Sequence, residues 1–149
     1  MIISFIFAVF ATLGFSIIFR VPLKHIPVAS LIGGIGWLIY QVCLSFDTSS
    51  LWSCFFAACT VGILSDLSSR IFKEASTIFT IPGILPLVPG AAIYKTMLAI
   101  VSGDLSLAAN LGSQTLLMAG SIAIALLVVG AMIRIIVSIA CRATCISKK

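Results

Sequence analysis

Ionised side chains are scarce in this sequence, since Lys, Arg, Asp and Glu together make up 9% of its 149 residues. Soluble domains carry roughly 25% charged residues because their surface faces water. Hydrophobic residues instead reach 61%, with a mean hydropathy of +1.28, and they form long uncharged runs. Such runs are typical of transmembrane helices. The scarcity of charge excludes a soluble protein and predicts an all-α integral membrane protein, with one membrane domain over residues 1–149.

Groups that carry catalysis or bind metals are also few. The chain has one histidine and four acidic residues, and the acids are spread over different loops. No paired carboxylates, metal-ligand spacing or nucleophile motif results, so the sequence predicts no enzyme, no cofactor and no metal site. The net charge of +5 does not indicate nucleic-acid binding, because the cations lie in short segments between apolar runs.

The five cysteines do not suggest a disulfide framework, because their number is odd and three lie inside predicted spans. Cys141 and Cys145 are one helical turn apart near the C-terminus. We interpret them as small interfacial side chains, with lipidation or metal binding as the alternative.

The charged residues divide the chain into five predicted transmembrane helices, each near the ~20 residues that cross the hydrocarbon core. The predicted spans are 2–19, 28–46, 51–65, 75–101 with an interruption at 82–90, and 116–133. Asp104, after Gly103, is predicted to cap the stretch that leads into the fifth span. Small residues in the spans, including Gly33, Gly34 and Gly36, are predicted to allow close helix packing.

Lysine and arginine predict the orientation, with the N-terminus outside and the C-terminus in the cytoplasm. Seven of the nine cations then face the cytoplasm: Arg20 and Lys24 in the first loop, Arg70 and Lys73 in the third, and Arg142, Lys148 and Lys149 in the tail. Arg134 lies at the inner end of the fifth span, where its stem can snorkel. The outward loops around Asp47 and Asp104 contain no lysine or arginine.

The fourth span contains three prolines and two glycines within ten residues, Ile81 to Gly90. Each proline removes an amide donor and clashes with the preceding turn, so the helix should be interrupted. Unpaired backbone groups at membrane depth are tolerated only against protein or a water-filled cavity. Discontinuous helices of this kind build the substrate sites of many transporters.

A half-helix beginning near Gly90 would leave the amides of Ala91, Ala92 and Ile93 without acceptors, which favours an anion. Lys95 adds a full charge one turn beyond Ala91. The sequence therefore predicts a site for a carboxylate-bearing solute. Its residues are Pro82, Gly83, Pro86, Pro89, Gly90, Ala91, Tyr94 and Lys95.

Alternatives remain for this region. The Pro/Gly run could be a static kink with Lys95 snorkelling outward, or a re-entrant hairpin that would place the tail cations outside. Asp66 could carry a coupling proton if burial raised its pKa. Arg70, four residues on, makes a structural ion pair the better interpretation of Asp66. His25 is interpreted as part of a topology signal rather than a chemical group.

The motifs resemble those of the threonine/serine exporter family. The resemblance rests on residues 82–90, on Tyr94-Lys95-x-Met97 with Gly103-Asp104, on Val21-Pro22, and on Gly33-Gly34-x-Gly36-Trp37-Leu38-x-Tyr40. It covers roughly residues 10–137 and matches the C-terminal half of full-length exporters, which in many bacteria is a separate small, YjjB-like subunit.

The resemblance implies a bacterial inner-membrane exporter of hydroxy amino acids or of dicarboxylates such as succinate, driven by an ion gradient. It also implies a larger, YjjP-like partner subunit in the same membrane, and self-association is a further option. Alternatively, the chain is a structural or regulatory membrane subunit without its own substrate path.

Overall fold

A computed structural model of the protein describes residues 2–46 and 49–146, with side chains described up to residue 139. Over these ranges the backbone is helical, without strands. The α-helices are α1 (Ile2–Ile18), α2 (Ile26–Ser45), α3 (Ser50–Phe72), α4 (Thr77–Ile84), α5 (Gly90–Val101) and α6 (Leu105–Ile146), with 3-10 turns at Leu23–His25 and Leu85–Leu87. Predictions that involve Asp47, Lys148, Lys149 and the side chains of Cys141, Arg142 and Cys145 lie outside the described residues. The all-helical class is confirmed.

Three of these helices are long and apolar enough to cross a membrane, namely α2 with its preceding turn, α3 and α6. The segment from Thr77 to Leu87 and α5 together make a fourth candidate, bent by 52° at the break. With 17 residues, α1 is shorter than these candidates, although it carries no charged residue. Length and composition therefore account for three or four of the five predicted spans.

Two helices extend beyond the predicted spans. The third helix does not stop at Ser65 but continues through Asp66 and Arg70 to Phe72. It can do so because acid and base four residues apart pair along one helix face. The last helix begins at Leu105 rather than near residue 116, and its polar first turns stay helical. There the Ser113 hydroxyl donates to the Asn110 carbonyl, so this polar side chain does not compete with the helix.

Asp104 caps α6, as predicted. Its Oδ1 accepts hydrogen bonds from the Leu107 amide at 3.0 Å and from the Ser106 hydroxyl at 2.8 Å. These bonds satisfy an amide that has no intrahelical acceptor and favour the ionised carboxylate. They hold the pKa of Asp104 below its ordinary value.

Replacing Asp104 tests this cap. A lowered folded-state pKa means that the stabilisation is present above the ordinary carboxyl pKa and is lost as pH falls through the folded value. Asp104→Ala should lower the thermal unfolding midpoint at neutral pH. Asp104→Asn should keep the cap but remove its acid dependence, which circular dichroism melts in detergent between pH 3 and 7 would measure. Equal midpoints for all three proteins at pH 7 would contradict the capping role.

The helices pack closely through glycine, as predicted. A side chain at Gly33 would overlap Thr12 of α1, and one at Gly36 would overlap Val61 of α3. Alanines at the same interfaces are fully buried, among them Ala29 and Ala57. Because lipid is as apolar as the side chains, such close approach is what holds membrane helices together.

Buried hydroxyls at these interfaces bond to their own helices. Thr12 donates to the Ala8 carbonyl at 2.8 Å and Ser16 to the Thr12 carbonyl at 2.8 Å, while Ser30 makes the same i−4 bond in α2. This satisfies polar groups that have no water at membrane depth.

The two basic loops lie at the same end of the bundle. Lys24 of the α1–α2 loop is 3.5 Å from a Glu74 carboxylate oxygen in the α3–α4 loop. Asp66 and Arg70, near the end of α3, share a cleft with Ile133 and Ile136 of α6, whereas Leu51, Trp52 and Phe55, at the start of α3, share one with Leu116 and Leu117. Helices α3 and α6 therefore run parallel, and residues 133–137 reach the end of the bundle that carries the basic loops.

Candidate functional site

The first part of the Pro/Gly run, residues 82–87, packs inside the bundle. Pro82 and Gly83 of α4 are buried, and so is Leu87 of the following 3-10 turn. A side chain at Gly83 would stand 3.2 Å from Val61 Cγ1 and 3.3 Å from Ile32 Cγ2. Helix α4 therefore packs against both α2 and α3, and glycine lets it approach them closely.

The interruption is shorter than predicted. Pro82 and Gly83 were placed inside a break at 82–90, yet both belong to α4, and the helix gives way to extended backbone only at Val88. Pro82 is tolerated at its position because one proline bends a helix more often than it ends it. It is the later prolines that redirect the chain, so that α5 leaves at 52° to the preceding segment.

The amides at the start of α5 are partly satisfied. Ile93 was predicted to lack an acceptor, but its amide donates to the Pro89 carbonyl at 3.0 Å, so that prediction was wrong. Gly90 donates to the Val88 carbonyl at 2.7 Å. Within the described residues, no hydrogen bond is found for the amides of Ala91 and Ala92. Pro89 is the N-cap residue of α5, so its carbonyl already accepts the first hydrogen bond of the new helix.

The second half of the predicted site lies apart from the first. Helix α5 packs chiefly against α6, where a side chain at Gly112 would stand 3.3 Å from Thr96 Cγ2. Ala91 and Lys95 share one face of α5, and both are exposed, as is Tyr94. Among the described residues, Pro82 and Gly83 are therefore buried on one side of the break, whereas the predicted residues of α5 are exposed on the other.

Three clefts flank the interrupted helix. One, of about 210 Å³, lies between α3, α4 and α6, and Asp66, Ser76, Thr77 and Thr80 contribute its polar groups. A second lies against the α1–α2 loop and includes Arg20. The third lies beside Pro86, between Trp37 and residues 4–11 of α1. The ionisable groups that line these clefts are thus the Asp66 carboxylate on one side of α4 and the Arg20 guanidinium on the other.

Asp66 and Arg70, named as ion-pair or coupling candidates, form the ion pair. Arg70 Nε donates to Asp66 Oδ2 at 2.6 Å, and the Asp66 side chain is about a quarter exposed, at 26%. The pair accounts for Asp66 structurally. A coupling role for Asp66 stays a prediction.

Residues 4–132 match the family described as "Threonine/Serine exporter, ThrE". The chain belongs to the threonine/serine exporter family. The matched range includes α1 without its first two residues, α2 to α5, and all of the candidate site residues.

One relative of the chain is an uncharacterized protein of Haemophilus influenzae. It is 28% identical over 96 residues, which cover 64% of this chain and 32% of that protein. The aligned part of the chain thus spans about a third of that relative's length. No solved structure matches the chain.

Sequence reasoning missed one group in this member of the exporter family. His25, interpreted as a loop residue that marks topology, is 2% exposed. Its ring lies edge-on to Phe72 and Phe79, with centroids 4.9 and 5.6 Å away. Only the fold could have identified it, because its neighbours lie about fifty residues further along the chain.

Proposed function

We propose that this chain is a membrane subunit of an exporter for small carboxylate-bearing metabolites, either hydroxy amino acids or succinate-type dicarboxylates. The observation that carries the proposal is the interrupted helix α4–α5, whose first half packs inside the bundle, in a member of an exporter family. Interrupted helices supply backbone groups to solutes at the middle of the bilayer. An ion gradient is the proposed energy source.

The proposed topology has five spans in a bacterial inner membrane, with the N-terminus outside. Helix α1 lies along α2 at Gly33 and Gly34, so α1 occupies the same depth as a helix long enough to span. Its 17 residues lie at the lower limit for crossing. A bend of 52° leaves α5 heading broadly onward from α4, which supports a broken span rather than a re-entrant hairpin. Loops rich in lysine and arginine at one end favour that end as the cytoplasmic one.

The proposed exporter has two components. This chain is one of them, and a larger, YjjP-like membrane subunit is the other. The exposed positions of Tyr94 and Lys95 support this, because a solute held there needs a further wall. The aligned region's share of the Haemophilus influenzae relative, about a third, is in keeping with a division between chains. The same exposure favours a second candidate function, a regulatory subunit without its own substrate path.

Reconstitution separates these functions. This chain, the larger component, and both together would be placed in proteoliposomes and assayed for counterflow of labelled threonine, serine and succinate. We expect flux from the pair that exceeds flux from either component. Equal flux from the larger component alone and from the pair would favour the regulatory function, and no flux of any of the three solutes would contradict the proposed substrate class.

A further inference from the structure

His25 is the single histidine of the chain and one of its most buried polar side chains. Within the described residues, neither ring nitrogen has a hydrogen-bond partner. A buried polar group without a partner normally costs stability, so its presence calls for an explanation. Histidine is also the side chain whose charge ordinarily changes between pH 5 and 8.

The carboxylate of Glu74 lies beside the His25 ring. Glu74 Oε1 is 3.5 Å from His25 Nε2, slightly longer than an N–H···O hydrogen bond. The His25 side chain is 3% exposed, whereas that of Glu74 is 33% exposed and reaches water. A proton on Nε2 would turn this contact into a charge-assisted hydrogen bond, and these are shorter and stronger than neutral ones.

Further charged side chains lie on the same two loops and at the end of α3. Lys24, next to His25, is 3.5 Å from the same Glu74 oxygen and competes for it. Helices α3 and α4 present aromatic rings to the histidine, Phe72 and Phe79. Arg70 is engaged by Asp66. Among the described side chains, Arg20 and Lys73 of the two loops have no carboxylate within 4 Å.

The ring is connected to the interrupted helix. Phe79 is fully buried and lies one turn before Pro82 and Gly83 on the same face of α4. His25 itself is the N-cap residue of α2. A change in the charge of His25 therefore acts on the joint between the α1–α2 loop, the end of α3 and the first turn of α4.

We propose that His25 and Glu74 form a proton-binding site that controls the position of α4. The proton enters from water by way of the Glu74 carboxylate and resides on His25 Nε2. The resulting ion pair draws the α1–α2 and α3–α4 loops together and fixes the start of α4. When the proton is lost, Glu74 pairs with Lys24 alone, and the start of α4 is no longer held by the His25–Glu74 ion pair. The proton site stands on geometry, while its link to export rests on the function proposed above.

A histidine titration tests the site without any transport assay. Protein labelled with ¹⁵N-histidine and purified without a polyhistidine tag gives the imidazole signals of His25 alone. The signals are followed in nanodiscs from pH 8 to pH 5, and we expect them to report proton binding to the ring. Glu74→Gln should move the midpoint to lower pH, because it removes the anion that stabilises the charged ring. Lys24→Gln, the matched control of opposite sign, should move it to higher pH.

Two results would overturn the site: a ring that stays neutral down to pH 5, or a midpoint that Glu74→Gln leaves unchanged. The wild type and Glu74→Gln suffice for this, even if His25→Gln does not fold.

The link to export has its own measurement. In whichever proteoliposomes transport solute, His25→Gln should flatten the dependence of flux on pH. An unchanged pH profile would refute control of α4 by this proton. Absence of flux from every preparation would count against the proposed function, while the titration would still decide the proton site.

Discussion

Gly36→Ala is expected to destabilise the helical bundle by about 1–3 kcal/mol, the usual cost of overpacking a close-packed interior. Alanine is the better helix former by about 1 kcal/mol, so helix propensity alone predicts the opposite sign. The packing term is larger because the added methyl group would overlap Val61 Cγ2. Val61 is fully buried and β-branched, so it has little freedom to move away. Leu87 Cδ1, 3.6 Å away, and the Ala57 carbonyl, at 4.0 Å, limit the escape of the methyl group.

Gly14→Ala is the matched control. Gly14 lies in α1, and a methyl group there would meet no atom within 4 Å. This variant should be as stable as the wild type or slightly more so. Unfolding in mixed detergent, followed by circular dichroism, would compare the three proteins. A Gly36→Ala protein as stable as Gly14→Ala would show that α2 and α3 do not approach as closely as the structure indicates.

Lys95→Met is expected to weaken carboxylate transport by the proposed exporter about tenfold to a hundredfold in apparent affinity. A hydrogen bond to a charged group contributes roughly 1.5–3 kcal/mol, and each 1.4 kcal/mol is a factor of ten. Methionine keeps much of the length of the side chain but removes its charge. Lys95→Arg keeps the charge and should retain the preference for carboxylates.

The measurement is competition between a carboxylate solute and its amide in proteoliposomes that contain the pair of components. The wild type and Lys95→Arg should prefer the carboxylate, and Lys95→Met should lose or reverse that preference. Unchanged selectivity in Lys95→Met would remove Lys95 from the site. It would then favour a lysine whose charge merely extends toward the interface.

Much of the fold could be predicted from the sequence, because lipid offers no hydrogen-bond partners and the backbone must satisfy its own polar groups. A chain with 9% charged residues has to fold as apolar helices, and its charges then mark where the helices end. The cap at Asp104 was equally local, since it needs only the carboxylate and an amide three residues on. The packing role of Gly33 and Gly36 followed from residue size alone.

The helices depart from the expected bounds where local signals compete with other contacts. Asp66 was expected just beyond a span, but pairing with Arg70 lets α3 continue past it. Pro82 was expected in the break, but packing of Gly83 against Val61 and Ile32 keeps that turn helical. The Asp66–Arg70 pair is local to α3. At Pro82 a tertiary contact outweighs the proline, because tertiary packing accounts for most helical stability in proteins.

The sequence by itself determined the membrane class, the helical architecture, the positions of the charged loops and the location of an interrupted helix. These follow from composition and from proline chemistry, which act within a few residues. Only the tertiary structure decided that Pro82 and Gly83 lie in the core while Lys95 lies outside it. It alone brought His25 to Glu74 and Phe79, about fifty residues away, since distant residues meet only when the helices pack.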